Sequence, residues 1–170
     1  MICPFCGFSK IKDNVPKPIR CICGNIITEK KSKCKYLGKK LTGYGIPVQR
    51  PYGGHAIFVD AKKFLPNVPK EEYIAQTLAV ELYLEAGIRG VEIGTLLADR
   101  DPETRENRYP ALEFLRLAIP RRVYTNNHMD VIAVALKNVF DRRNEIKNGF
   151  KIIEEAPIMR HFTVHLERTK

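Results

Sequence analysis

Ile74, Leu78 and Leu82 recur every four residues, with Ala75, Ala79 and Ala86 beside them. That spacing predicts a helix buried along one side. Pro69, Glu71 and Glu72 stand where such a helix starts, with acids near the positive end of its dipole. Gly87 stands where it stops. A second stripe, Ile132, Leu136, Val139 and Phe140, follows a capping residue at Thr125 or Asn126, and Lys147-Asn148-Gly149 reads as its C-terminal signal. Between the helices lie extended segments: 46–48 and 55–60 around a Pro51-Tyr52-Gly53-Gly54 turn, then 88–94, 112–119, 150–154 and 160–166. The polar stretch 99–108 reads as an exposed loop. The order β-β-α-β-β-α-β-β predicts an α+β fold, a small mixed sheet with helices packed on one face.

Residues 1–35 show little of this periodicity. Charge and cysteine usage set them apart as well. The net charge of the 170 residues is +10. Residues 1–40 hold 10 Lys/Arg against 2 Asp/Glu, a net of +8, and the remaining 130 hold 19 against 17, a net of +2. Four of the five cysteines fall within residues 1–23, and the fifth is Cys34. The chain therefore divides into a basic unit, 1–35, and an ordinary α/β body, 36–170. A unit that short buries too little surface to fold without a staple. Cys3-Pro4-Phe5-Cys6-Gly7 and Cys21-Ile22-Cys23-Gly24, fourteen residues apart, offer one. Four thiolates on two tight turns suit tetrahedral zinc, held by Cys3, Cys6, Cys21 and Cys23. An iron–sulfur or redox role is the alternative. Cys34 is either a spare ligand or an ordinary free thiol. The run Lys30, Lys31, Lys33, Lys35, Lys39 and Lys40 either contacts phosphates, making nucleic acid a partner of residues 1–40, or is a solvated linker. No 18-residue apolar stretch exists, so no membrane-spanning helix is expected. MICPFCGFSK lacks the apolar stretch of a signal peptide, and a cytoplasmic location is expected.

In the body, Arg116 is the residue that breaks its pattern. It sits in Leu115-Arg116-Leu117, inside an apolar strand. A charge there is either in a buried ion pair with Glu113 or Glu92, or aimed at a site that binds a carboxylate. His55 follows two glycines and is placed to line a cleft. His128 and Asp130 open a helix and read as capping residues. His161 and His165 share a face of the last strand. Arg121 and Arg122 read as surface charge. Serine occurs only at Ser9 and Ser32, which excludes a serine nucleophile from the body.

Longer stretches of the body are similar to a known family. Gly45-Ile46-Pro47-Val48-Gln49-Arg50-Pro51-Tyr52-Gly53-Gly54-His55-Ala56-Ile57-Phe58-Val59-Asp60-Ala61 resembles the tryptophanase and tyrosine phenol-lyase family. So do Glu85-Ala86-Gly87-Ile88-Arg89, the run from Leu115 to Thr125, His128-Met129-Asp130 and Arg160-His161-Phe162-Thr163. The resemblance covers about Tyr36 to Arg168. It implies the C-terminal small domain of a fold-type-I enzyme that uses pyridoxal phosphate and a monovalent cation. Such enzymes cleave tryptophan or tyrosine at Cβ, giving indole or phenol with pyruvate and ammonia. It implies Arg116 as the residue that grips the substrate α-carboxylate. Tyrosine phenol-lyases carry arginine where this chain has Ile93 and phenylalanine where it has His161, so both positions are nearer tryptophanase. The family's pyridoxal-binding lysine lies upstream in a large domain, and Lys62-Lys63 does not match its motif. The chain alone is therefore expected to be inactive. The alternative is a zinc-ribbon binding module for nucleic acid or protein that carries a lyase remnant. Where a large domain and an N-terminal piece pack in the family, an exposed apolar patch and self-association are expected.

Overall fold

The computed structural model describes residues 19–20, 26–27, 33–120 and 123–170. Strands β1 (Ile19–Arg20) and β2 (Ile26–Ile27) form a short antiparallel pair. Helix α1 (Lys33–Gly43) opens the body, three residues before the expected start at residue 36. Its Lys run hides a helical stripe: Cys34, Leu37, Gly38 and Leu41 are all buried. The chain then passes along β3 (Ala56–Asp60), α2 (Ala61–Phe64), α3 (Ile74–Ala86), β4 (Val91–Ile93), α4 (Thr95–Ala98), β5 (Phe114–Ala118), α5 (Asn126–Asp141), β6 (Phe150–Glu154) and β7 (His165–Arg168).

The α+β class holds, and the strands are spread over small antiparallel sheets. One has the order β3-β5-β4, and β6 and β7 form a separate hairpin. Expected strand 46–48 shrinks to a single bridge between Val48 and Val59. Pro47 has no N–H to give a ladder, although its carbonyl still accepts from the Asp60 N–H. Helix α3 begins later than Pro69, because Tyr73 takes a left-handed conformation and separates a turn at 70–72 from the helix. Gly87 ends α3 in the left-handed conformation, as its position predicts. Thr125 is the cap of α5, but Gly149 is not its stop, since the helix ends at Asp141. Gly149 serves another purpose. A Cβ there would lie 2.2 Å from the Glu72 carbonyl oxygen, and its N–H donates to the Glu72 carboxylate. That close approach ties the β6–β7 hairpin to the turn at 70–72.

Helices α1, α3 and α5 cover one face of the three-stranded sheet. Ile57, Val59, Leu115 and Leu117 point into this layer and meet Leu37, Leu41, Leu78, Leu82, Met129 and Leu136. Polar ties hold the layer at its edges. Asp130 accepts from the Tyr36 hydroxyl at 2.8 Å and pairs with Lys40 at 2.6 Å, so it joins α5 to α1. Glu81, buried on α3, takes Arg142 at 2.8 Å and Arg168 at 2.5 Å, joining α5 and β7 to it.

Burial pushes the Glu81 carboxyl up, but the hydrogen bonds and charges of Arg142 and Arg168 hold it below the usual carboxylate range. Such a group stabilises the fold fully above its unfolded pKa of about 4.3, and the contribution is lost as pH falls through the lower folded value. The urea midpoint is therefore expected to fall steeply below about pH 4.5, and Glu81→Gln to flatten that limb. A series of urea melts between pH 3 and 7 checks this.

Candidate functional site

The pairing of β3, β5 and β4 sorts the candidate residues by face. Arg116 lies opposite Phe58 on one side and Val91 on the other, and Phe114 lies opposite Asp60 and Ile93. Paired residues in an antiparallel sheet point the same way. Phe58, Val91, Ile93, Phe114 and Arg116 thus share the face turned away from the helices. Arg116 and Ile93 are diagonal neighbours there, about 7 Å apart by the geometry of such pairs. Phe58 and Phe114 meet edge to face at 6.1 Å.

Glu92 and Glu113 lie on the other face, which ends the reading of Arg116 as half of an ion pair. The Glu113 carboxylate accepts from the Thr95 hydroxyl at 2.6 Å and from the Ala75 N–H at 3.2 Å. The Glu92 carboxylate accepts from the Leu96 and Leu97 N–H groups, fastening α4 directly after β4. Burial lifts the Glu92 carboxyl above its ordinary range, against those amide hydrogen bonds. Asp60, the acid on the Arg116 face, is also engaged: it accepts from the Lys63 N–H and pairs with the Lys63 ammonium at 3.2 Å. Among the described residues no side chain hydrogen-bonds or ion-pairs with Arg116, a half-buried residue paired with Phe58 and Val91.

His161 does not lie on a strand. It occupies a turn, 160–162, and its ring packs against Phe162 at 4.1 Å. His165 is on β7, exposed, 3.4 Å from Glu154, so the expected common face of the two histidines does not form. The turn docks on α4 through Arg160, which donates to the Thr95 and Leu96 carbonyls. The turn that carries His161 is thereby tied to the segment that follows Ile93. Arg160 was missed as a buried anchor because a turn residue leaves no trace in hydrophobic periodicity.

His55 is exposed at the entry to β3. His128 takes part in the cap of α5, its Nδ1 accepting from the Thr125 N–H at 3.0 Å. Asp130, read as a cap, instead bonds α1. Cys34 is a free thiol in the core, and burial pushes it up to about 11, far from the thiolate a metal needs. Cys3, Cys6, Cys21 and Cys23, and also Arg121 and Arg122, lie outside the described residues. Among the described residues no three His, Cys, Asp or Glu side chains are placed to hold a metal ion, and no helix is long and apolar enough to cross a membrane.

Known proteins carry the same stretch. The family model described as β-eliminating lyase matches residues 6–135. The chain belongs to the β-eliminating lyase family. It is 73% identical over 134 residues to a probable β-eliminating lyase of Trichomonas vaginalis, covering 79% of this chain and 29% of that protein. It is 49% identical over 141 residues to a tyrosine phenol-lyase of Nostoc punctiforme, covering 83% of this chain and 30% of that protein. It is also 49% identical over 133 residues to a tryptophanase of Salinibacter ruber, covering 78% of this chain and 28% of that protein. The chain thus spans about three tenths of the length of these relatives.

Proposed function

We propose that the open sheet face is the substrate-carboxylate side of a pyridoxal-phosphate-dependent β-eliminating lyase. One observation carries this reading. Arg116 is a half-buried arginine with no acid to neutralise it among the described residues. A planar fork in apolar surroundings binds a carboxylate in two parallel hydrogen bonds. Ile93, on the same face, supplies apolar contact to the side chain of a bound aromatic amino acid. An indole suits it, whereas the hydroxyl of a phenol would be desolvated there without a partner. His161, on its docked turn, completes the side-chain end. The preferred substrate in this reading is tryptophan.

The described residues do not fit pyridoxal phosphate itself. The two lysines beside β3 are both engaged: Lys62 donates to the Pro110 and Ala111 carbonyls, and Lys63 pairs with Asp60. The lysine that holds the cofactor belongs to sequence that these relatives carry beyond the matched stretch. Arg116, Ile93 and His161 bind and orient, and the 170 residues alone release no pyruvate from tryptophan.

A graft tests the assignment of substrate. Residues 36–170 replace the matched segment of the Nostoc tyrosine phenol-lyase, and pyruvate release is measured with tryptophan and with tyrosine. The graft is expected to turn over tryptophan faster than tyrosine, and Ile93→Arg to restore preference for tyrosine. A folded graft that still prefers tyrosine contradicts the reading.

A further inference from the structure

Arg160 precedes His161 and is almost inaccessible, with 1% of its surface exposed. Its guanidinium is divided among several elements. Its Nε donates to the Leu96 carbonyl at 3.2 Å and one Nη to the Thr95 carbonyl at 2.8 Å. The other Nη donates to Asn107 Oδ1 at 2.8 Å and to the Glu155 carboxylate at 3.3 Å. The Asp99 carboxylate lies 3.5 Å from Nε. Glu155 is itself paired with Arg100. One side chain therefore gathers α4, the 99–107 loop and the chain leading out of β6.

Backbone strain lies at the same place. Met159, next to Arg160, has φ 53°, and Asp99 has φ 63°. Neither is glycine, and such conformations persist only where the surroundings over-determine them. The restraint acts at two ends. Thr95 follows Ile93 after one glycine, and His161 follows Arg160 directly.

We propose that Arg160 is a positioning residue that fixes the His161 turn to α4 and so sets the placement of His161 relative to Ile93, the pair that reads the substrate side chain. The inference deepens the proposed function and rests on its placing of those two residues. Lysine in place of Arg160 keeps the charge, but a single ammonium cannot span the Thr95, Leu96, Asn107 and Glu155 acceptors together.

The test uses the 170-residue chain without substrate, so its result is independent of what the face binds. In Arg160→Lys, the His161 ring resonances and the Ile93 amide resonance are expected to move. Exchange protection of the Thr163 and Val164 amides, which donate to the Arg160 carbonyl, is expected to fall by about tenfold. The Met129 methyl, on the buried face of α5, is expected to stay in place. Unmoved His161 and Ile93, or a shift of Met129 in step with them, overturns the proposal. Asn107→Leu removes one acceptor and leaves the anchor itself, and it should move the His161 resonances the same way by less. If Arg160→Lys does not fold, an unmoved His161 in Asn107→Leu overturns the proposal instead. In the graft, a variant with His161 displaced and its ratio of tryptophan to tyrosine turnover unchanged would refute the substrate reading while leaving the positioning intact.

Discussion

Arg116→Ala in the graft is expected to lower kcat/KM for tryptophan by roughly 30-fold to a few thousandfold, the equivalent of about 2–5 kcal/mol for truncating a desolvated charge pair. The argument starts from sheet geometry. Alternation along β5 turns Leu115 and Leu117 into the helical layer and Arg116 away from it. The two acids first weighed as its partners, Glu92 and Glu113, are on the wrong face and are bonded to amides and a hydroxyl. The guanidinium therefore has no structural duty that its loss would reveal. The urea midpoint of Arg116→Ala is expected to match the parent within error. Arg116→Lys should fall between the two in activity, because an ammonium supplies the charge without the fork. Equal loss of stability and activity would reassign Arg116 to the fold.

The largest effect on stability is expected from Phe64→Ala. Phe64 is fully buried and meets Phe140 edge to face at 4.9 Å. It is the residue through which short α2, directly after β3, enters the helical layer. Removing a buried ring leaves a cavity that a close-packed layer fills only in part, and the loss is about 3–5 kcal/mol. Small domains have about 5–15 kcal/mol in total. Urea denaturation should show a much lower midpoint with an unchanged slope.

Both predictions depend on features that differ in how well the sequence showed them. Strands β3 and β5 and helices α3 and α5 were legible because each buries one regular stripe against the same layer. Arg116 was legible for the opposite reason, as a charge that interrupts such a stripe. Which face it served was not, since Glu92 and Glu113 were equally available as partners in the sequence and only strand pairing puts them behind the sheet. Helix α1 was hidden because lysines surround the buried Cys34, Leu37 and Leu41, and a charge run draws attention from the apolar positions within it. The end of α5 was misplaced because Gly149 answers to the Glu72 carbonyl across the fold, a contact with no local signature. Arg160 and the turn that carries His161 were hidden likewise, since every hydrogen-bond partner of the Arg160 side chain except Glu155 lies more than 50 residues earlier. Resemblance to relatives marked the Arg160-His161 pair without saying what holds it.

The central claim is that Arg116 binds the substrate carboxylate. It is tested most directly by a cycle of two ligands and two proteins. Indole-3-propionate and 3-propylindole present the same ring with and without a carboxylate, and each is titrated calorimetrically into the graft and into its Arg116→Ala variant. The account predicts that Arg116→Ala weakens indole-3-propionate alone and brings its affinity down to that of 3-propylindole, which does not change. Equal weakening of both ligands, or of neither, would contradict it.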